Sequence, residues 1–309
     1  MPFRHDLAVV RMTIPLFPDF TDLTLSHYTA YDSATQAMRF ENADLSFPEI
    51  FGWRKTFKPY VARLQNSLCP KLVWKERTIL FPPIGTDTFS EVQDDYMAYL
   101  KPLKGNGYIG GLRKEEAEQS GYTPQFDRNN SDYLYRSSDL ADLPGKKYHP
   151  KRNLIRQFEK KHSYQYVPLD CREIEGCLEL SEAWCNIKKC NEDDQVYAEE
   201  QAVREMLTHC FDLNIFGGVI YIEDTIRAFT LASRLNEDTV VVHAEKADTS
   251  FKGIYQAINA YFARSVADRF TWINRESDIG NEGLRKAKLS YYPTHLNEKY
   301  YIRVANHVT

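Results

Sequence analysis

The chain has 309 residues, 43% hydrophobic and 27% charged, with a formal net charge of −4, which suits a soluble globular protein of two domains of about 150 residues each. The acidic balance excludes a surface coated throughout by nucleic acid, though a local basic patch could still grip phosphate. With no apolar run near the roughly 20 residues that span a bilayer, no signal-peptide pattern and six cysteines outside any C-x-x-C or zinc-finger spacing, the expectations are a cytoplasmic chain with no integral membrane segment, reduced thiols and no metal site.

The first 40 residues offer a strand near 7–12 and a helix cap at Thr21 or Asp22. Phe51, Trp53, Phe57 and Tyr60 form an aromatic cluster expected to pack under a loop. Residues 68–74 and 78–81 read as strands joined by the charged turn Lys75-Glu76-Arg77. A PPIG turn follows, then an amphipathic helix over 89–100 with its acids early. Residues 105–111 are a strand or turn region and 111–121 a short helix with Gly121 past its end. Tyr133 and Tyr135 alternate on a short strand, and Pro150 suits the first turn of a helix that buries Leu154, Ile155 and Phe158 and joins two halves. Around that helix lie Lys146, Lys147, His149, Lys151, Arg152, Arg156, Lys160 and Lys161. They read either as a solvated face or as a strip facing a phosphate-rich ligand.

Beyond it, helices are expected over 173–189 and 199–211, separated by the acidic loop 191–194. Gly217-Gly218 then opens three strands, at 219–223, 227–234 and 239–244. A helix over 254–266 and a strand over 271–273 follow. Strand, Gly-containing turn and helix therefore occur twice, near 78–100 and near 240–266, which suggests a duplication at the level of element order.

The densest polar chemistry lies in this last set. Glu245 stands two residues after His243 along a strand, so both are expected to project to the same side, as a base or as cross-strand polar pairs. Asn274, Arg275, Glu276 and Asp278 close the next strand, and Arg285, Lys286 and Lys288 follow on a short helical stretch. One reading is a salt-bridge network of Glu276 or Asp278 with Arg285 or Lys288. The other is a site in which Arg275 and Lys288 face an anion or oxyanion and Glu245 or Asp278 the acceptor amine. Arg285 and Lys246 would then meet phosphate, and Lys252 and Gly253 would open a helix whose amides face an anion. Tyr291 and Tyr292 either cover the pocket or pack. No cysteine lies in a convincing Cys–His arrangement, so no covalent nucleophile is required.

The stretches FGGVIYIEDTIRAFTLASRLNEDTVVVHAEKAD, GIYQAINAYFA, INRESDIGNEGLRKAKLSYYP and LPGKKYHPKRNLIRQF resemble the C-terminal catalytic domain of phosphatidylglycerol lysyltransferases and its stand-alone relatives. The resemblance covers nearly the whole chain, most closely residues 131–293. It implies an α/β (α+β) fold of two tandem GNAT-like domains akin to the Fem peptidyltransferases, each a mixed, mostly antiparallel sheet flanked by helices. The expected division is 1–149, a basic connecting helix at 150–162, and 163–309 with the active pocket. The implied activity is transfer of an aminoacyl group from aminoacyl-tRNA, as co-substrate, to a nucleophilic small-molecule, peptide or lipid head-group acceptor. Glu245, Asp278, Arg275 and Lys288 would be catalytic. His243, Lys246, Lys252, Gly253, Asn274, Glu276, Arg285, Tyr291, Lys147, Lys151 and Arg152 would bind substrate, including the tRNA acceptor end. The turn at 249–254 has a single glycine where a coenzyme A loop has more. A coenzyme A-dependent N-acyltransferase using acetyl-CoA or acyl-CoA, and a non-catalytic RNA- or phosphate-binding module, are the alternatives.

Overall fold

The structure, a computed structural model, describes residues 14–38, 41–170 and 172–304, so the strand expected near 7–12 lies outside the described residues. The chain divides into two compact units, one running to Asp132 and resuming at Asn297, the other from Tyr133 to Leu296.

The first unit is built on a seven-stranded sheet in the order β1-β2-β3-β4-β5-β14-β6. Its strands are β1 (Thr21–Asp22), β2 (Pro59–Leu64), β3 (Ser67–Trp74), β4 (Arg77–Leu80), β5 (Gly107–Leu112), β6 (Gln125–Phe126) and β14 (Tyr300–Val304). Thr21 and Asp22 thus pair with Val61 and Tyr60 as a strand and do not cap a helix. The first helices are α1 (Tyr28–Ala37) and α2 (Phe47–Gly52), and the aromatic cluster packs beside them: Phe51 is buried, the partly buried Trp53 and Phe57 rings meet tilted at 5.5 Å, and Trp74 stands edge-on to Phe57 at 6.0 Å. β4 and β5 are parallel and joined by α3 (Phe89–Leu100), whose first turn is closed by Thr88 N–H donating to Glu91 Oε2 at 2.7 Å. Helix α4 (Lys114–Gln119) follows β5.

The second unit repeats the plan with the order β13-β7-β12-β11-β10-β9-β8. These are β7 (Asp132–Arg136), β8 (Gln165–Pro168), β9 (Phe216–Ile222), β10 (Thr225–Arg234), β11 (Thr239–Ala247), β12 (Trp272–Asn274) and β13 (His295–Asn297). β11 and β12 are parallel, joined by α9 (Ile254–Val266), just as α3 joins β4 and β5. Before α9 come α5 (Ser137–Asp142), α6 (His149–Lys161), α7 (Ile174–Lys188) and α8 (Asp194–Thr208), and α10 (Glu282–Leu289) follows it. Helix α8 starts earlier than the apolar pattern predicts because Asp193 accepts from the amides of Gln195 and Val196. Tandem GNAT-like architecture, with two mixed sheets flanked by helices, is therefore the fold.

Three expectations differ from the structure. Helix α6 does not stand between the halves: Ile155 and Phe158 are buried, and Phe158 shares a core with Ile254, Ala257 and Ile258 of α9, so α6 belongs to the second unit. The chain divides at Asp132, and its last strand β14 pairs with β5 and β6, returning residues after 297 to the first unit. Cys185 and Cys190 were expected as thiols; they form a disulfide, Cα–Cα 5.2 Å, because Lys189 adopts a left-handed conformation that turns the chain back at the end of α7.

Candidate active site

β11 and β12 pair only from Thr239↔Trp272 to Val241↔Asn274. After Val241 the two strands part, and β11 bulges: Ala232 faces Val242 and Leu231 faces Ala244, so His243 is the extra residue of the bulge. The bulge breaks the alternation that the sequence suggests. Val242 packs in the cluster holding Ala260 and Phe262 of α9, and Glu245, three residues on, also turns toward α9 and meets Asn259. Lys246 therefore points to the opposite face, where its ammonium is 3.5 Å from the Trp184 ring of α7 and pairs with Glu199 of α8.

Two side-chain pairs bridge the gap where the strands diverge. Glu245 forms an ion pair with Arg275, their side chains 8% and 15% exposed. His243 Nδ1 donates to Glu276 Oε1 at 2.9 Å, since a carboxylate can only accept, and Nε2 lies 2.8 Å from Ser233 Oγ. Ser233 is 3% exposed, too enclosed to be a reachable nucleophile. Burial works against the Arg275 charge, yet the Glu245 carboxylate beside it keeps the guanidinium pKa above its ordinary value.

A layer of aromatic rings and cations continues the cluster. Arg275 lies 5.0 Å from the Tyr291 ring and Lys151 Nζ 3.6 Å from it, with Lys151 donating to Ser290 Oγ at 2.8 Å. Burial, reinforced by the Arg275 charge, lowers the Lys151 pKa to about 8. Tyr291 is itself buried, and burial pushes its phenol upward. It packs as a wall, while Tyr292 remains half exposed.

Asp278 belongs to a separate knot. Fully buried, it accepts from Tyr133 Oη at 2.6 Å, Arg285 Nε at 2.9 Å, Arg285 Nη2 at 2.8 Å and Gly280 N–H at 3.0 Å. The hydrogen bond from Arg285 to Asp278 holds the guanidinium pKa up. Lys288 donates to the carbonyl oxygens of Arg275 and Ser277, the latter at 2.6 Å, so its charge fixes the loop that carries both groups. Asn274, fully buried, accepts from Glu276 N–H at 2.7 Å and shapes the same loop. The salt-bridge reading thus describes Asp278 and Arg285, while Lys288 binds backbone carbonyls.

Among the phosphate candidates, Lys252 is exposed and Lys147 lies over Tyr148 and Tyr292 at 5.0 and 4.9 Å. Arg152 donates to the carbonyls of Leu143 and Gly145. Gly253 has φ +97°, and a Cβ there would stand 2.4 Å from Leu154 O, so α6 packs directly on the start of α9. In the preceding turn Asp248 Oδ1 accepts from Ser250 N–H at 3.0 Å and from Ser250 Oγ at 2.7 Å. The Asp248 carboxylate thus takes the Ser250 amide of the turn that precedes α9.

Thr230, Ser233, Asn259 and Ser290 escape the sequence reading. Only Asn259 carries a signal, as a polar residue inside the apolar run of α9, 3% exposed. A cavity of about 470 Å³ lies elsewhere, beside Trp184, Tyr221, Arg227 and Asp248, and no member of the Glu245 cluster lines it. No described helix is long and apolar enough to cross a membrane.

The described free cysteines Cys69, Cys177 and Cys210 are buried, and burial raises their thiols, to about 12 in Cys69 and about 11 in Cys210. None is poised as a thiolate.

The family model for phosphatidylglycerol lysyltransferase, C-terminal, matches residues 35–303. A conserved protein of unknown function from Bacteroides thetaiotaomicron is 34% identical at TM-score 0.85, covering 91% of this chain and 98% of that one. The C-terminal domain of a putative lysylphosphatidylglycerol synthetase from Agrobacterium fabrum shares the fold at TM-score 0.62 and 11% identity, covering 92% and 93%. L-PGS from Bacillus licheniformis does so at TM-score 0.60 and 16% identity, covering 84% and 87%. With a match that runs through both sheets and every residue of the Glu245 cluster, the chain belongs to the phosphatidylglycerol lysyltransferase C-terminal family and is a transferase of the aminoacyl/acyl class.

Proposed function

We propose that the chain moves an aminoacyl group from aminoacyl-tRNA to a nucleophilic acceptor, by direct attack at the Glu245–Arg275 cluster. The observation that carries this reading is the bridged gap between β11 and the chain beyond β12. A pantetheine arm needs a slit between splayed strands, and here Glu245–Arg275 and His243–Glu276 span it. A coenzyme A pyrophosphate also needs amides before α9, and the Asp248 carboxylate takes the Ser250 amide there and adds a like charge. An aminoacyl ester brought by tRNA makes neither demand.

In this reading Arg275 faces the ester carbonyl oxygen and stabilises the negative charge that develops on it, held in place by Glu245. The acceptor amine or hydroxyl attacks the carbonyl carbon, and the acyl carbon–oxygen bond to the tRNA ribose breaks. Lys151, whose lowered pKa leaves a share of neutral amine near pH 8, takes the acceptor's proton, and the ammonium so formed returns it to the ribose oxygen as that leaves. The raised cysteine thiols fit a mechanism without a covalent intermediate.

The test supplies the full chain with a pool of tRNA charged with radiolabelled amino acids, and in parallel with radiolabelled acetyl-CoA. Phosphatidylglycerol vesicles, short peptides and small amines serve as acceptors. Label should move from tRNA and depend on Arg275. Transfer from acetyl-CoA in place of tRNA would overturn the reading.

A further inference from the structure

Three buried polar atoms without a hydrogen-bond partner among the described residues belong to side chains that flank Glu245. Thr230 lies directly opposite Glu245 across the β10–β11 pair, fully buried, with its Oγ1 unpaired. Asn259 donates from Nδ2 to Glu245 Oε1 at 3.2 Å and leaves Oδ1 unpaired. Arg275 donates from Nη2 to Glu245 and leaves Nη1 unpaired. Native proteins satisfy buried polar groups, so three orphans around one carboxylate mark a place built for a polar occupant.

The orphans differ in polarity, and the difference identifies that occupant. Asn259 Oδ1 can only accept, the Thr230 hydroxyl can accept, and the Glu245 carboxylate completes a set suited to an ammonium, which has three donors and no acceptor. Arg275 Nη1 can only donate, so it calls for an oxygen. An ammonium next to a carbonyl oxygen is what an aminoacyl group presents, and one small group can answer donors and acceptors of both kinds.

We propose that Thr230, Asn259 and Glu245 hold the free α-ammonium of the aminoacyl group whose carbonyl oxygen faces Arg275, so that a donor with a blocked α-amine is rejected. This rests on the aminoacyl-transfer reading and adds to it the chemical state of the donor. Nα-acetylation removes the charge and presents a carbonyl oxygen to Asn259 Oδ1 and Glu245, acceptor against acceptor. A site built around hydrogen bonds discriminates strongly against a ligand that leaves its buried groups unpaired.

Two measurements on the full chain test the proposal. In calorimetric titration, alaninamide should bind at least about tenfold more tightly than Nα-acetyl-alaninamide, the equivalent of one lost buried hydrogen bond. Thr230→Val and Asn259→Leu, both near-isosteric, should each weaken alaninamide by a similar factor, while Thr230→Ser keeps it. The wild-type comparison of the two probes needs no variant to fold. In the second measurement, consumption of a charged tRNA pool should fall at least about tenfold after chemical Nα-acetylation of the pool. That arm also separates the donor's α-amine from an ammonium on the acceptor, which acetylating the donor leaves unchanged. Equal response to free and acetylated forms, including binding of neither probe, overturns the subsite, even if both tRNA pools are consumed and aminoacyl transfer stands. Preference for alaninamide without consumption of either pool supports the subsite and overturns the tRNA donor.

Discussion

Arg275 and Glu245 carry opposite charges into a nearly closed environment, so their worth depends on each being present. Truncating one partner leaves the other buried and uncompensated, at a cost of about 3–5 kcal/mol, whereas replacing both by apolar groups of similar shape can be close to neutral. Arg275→Met should therefore lower the melting temperature markedly, and Glu245→Leu combined with Arg275→Met should recover most of the loss. Transfer should behave otherwise: both the single and the double variant should fall by at least about 100-fold, because the donor to the developing oxyanion is gone in each. Recovery of stability without recovery of transfer, seen in parallel thermal and activity assays, separates the two roles. Lys151 gives a pH signature. Its folded pKa of about 8 lies below the ordinary lysine value, so the unfolded chain binds more protons between those two values and stability gained at this site rises as pH increases through that window. Transfer that uses the neutral amine should instead rise as pH approaches about 8, below the window in which stability rises, and level off above it. Lys151→Met should abolish that rise in transfer, and should narrow its stability difference from wild type as pH is raised.

At the scale of elements, two contacts decide whether the cluster is held. Gly253 lets α6 lie against the start of α9 with Leu154 O where a side chain would be, at a φ of +97°. Gly253→Ala combines strained backbone with a backbone clash and should destabilise the fold by more than about 1 kcal/mol, detectable as a lower denaturation midpoint. Asp278→Asn should lower the denaturation midpoint, since it removes the buried carboxylate that Arg285 and Tyr133 share and weakens the tie from Tyr133 on β7 to the loop after β12. Most elements around these contacts were legible in the sequence, because period-2 and period-3.6 patterns record burial: the run at Val240–Val242 and the spacing of Ile254, Ala257, Ile258 and Tyr261 could hardly be anything else. The polar site was less legible. The bulge at His243 depends on how β10 meets β11, which no spacing within β11 reveals, and it is the bulge that turns Glu245 toward Asn259. Likewise, nothing in the run Asn274 to Lys288 distinguishes Asp278, locked by Tyr133 from a strand some 145 residues away, from Arg275, which reaches Glu245. The short strand β2 escapes the sequence because buried Val61 and Ala62 are adjacent and break the alternation, and β14 because its alternation spans only Ile302 to Val304.

For the whole molecule, the outstanding physical problem is how a chain of net charge −4 could hold tRNA. The attraction must be local, and the start of α6 and the residues before it supply a source. Lys151 and Arg152 are committed to Ser290 and to the carbonyls of Leu143 and Gly145, but Lys146, Lys147, Arg156, Lys160 and Lys161 are exposed. If four or five phosphates are neutralised by such groups, the logarithm of the association constant should fall with the logarithm of salt concentration with a slope of roughly −3 to −4. Replacing Arg156, Lys160 and Lys161 together by Glu should flatten that slope by roughly two units and weaken tRNA binding, as read by filter binding at several salt concentrations. None of the three touches the Glu245 cluster, and their exposure keeps the cost to folding small, so alaninamide binding should be unchanged. An unaltered salt slope in the triple variant would place the RNA against another surface, while loss of alaninamide binding with it would show that α6 reaches the aminoacyl site through the packing at Gly253.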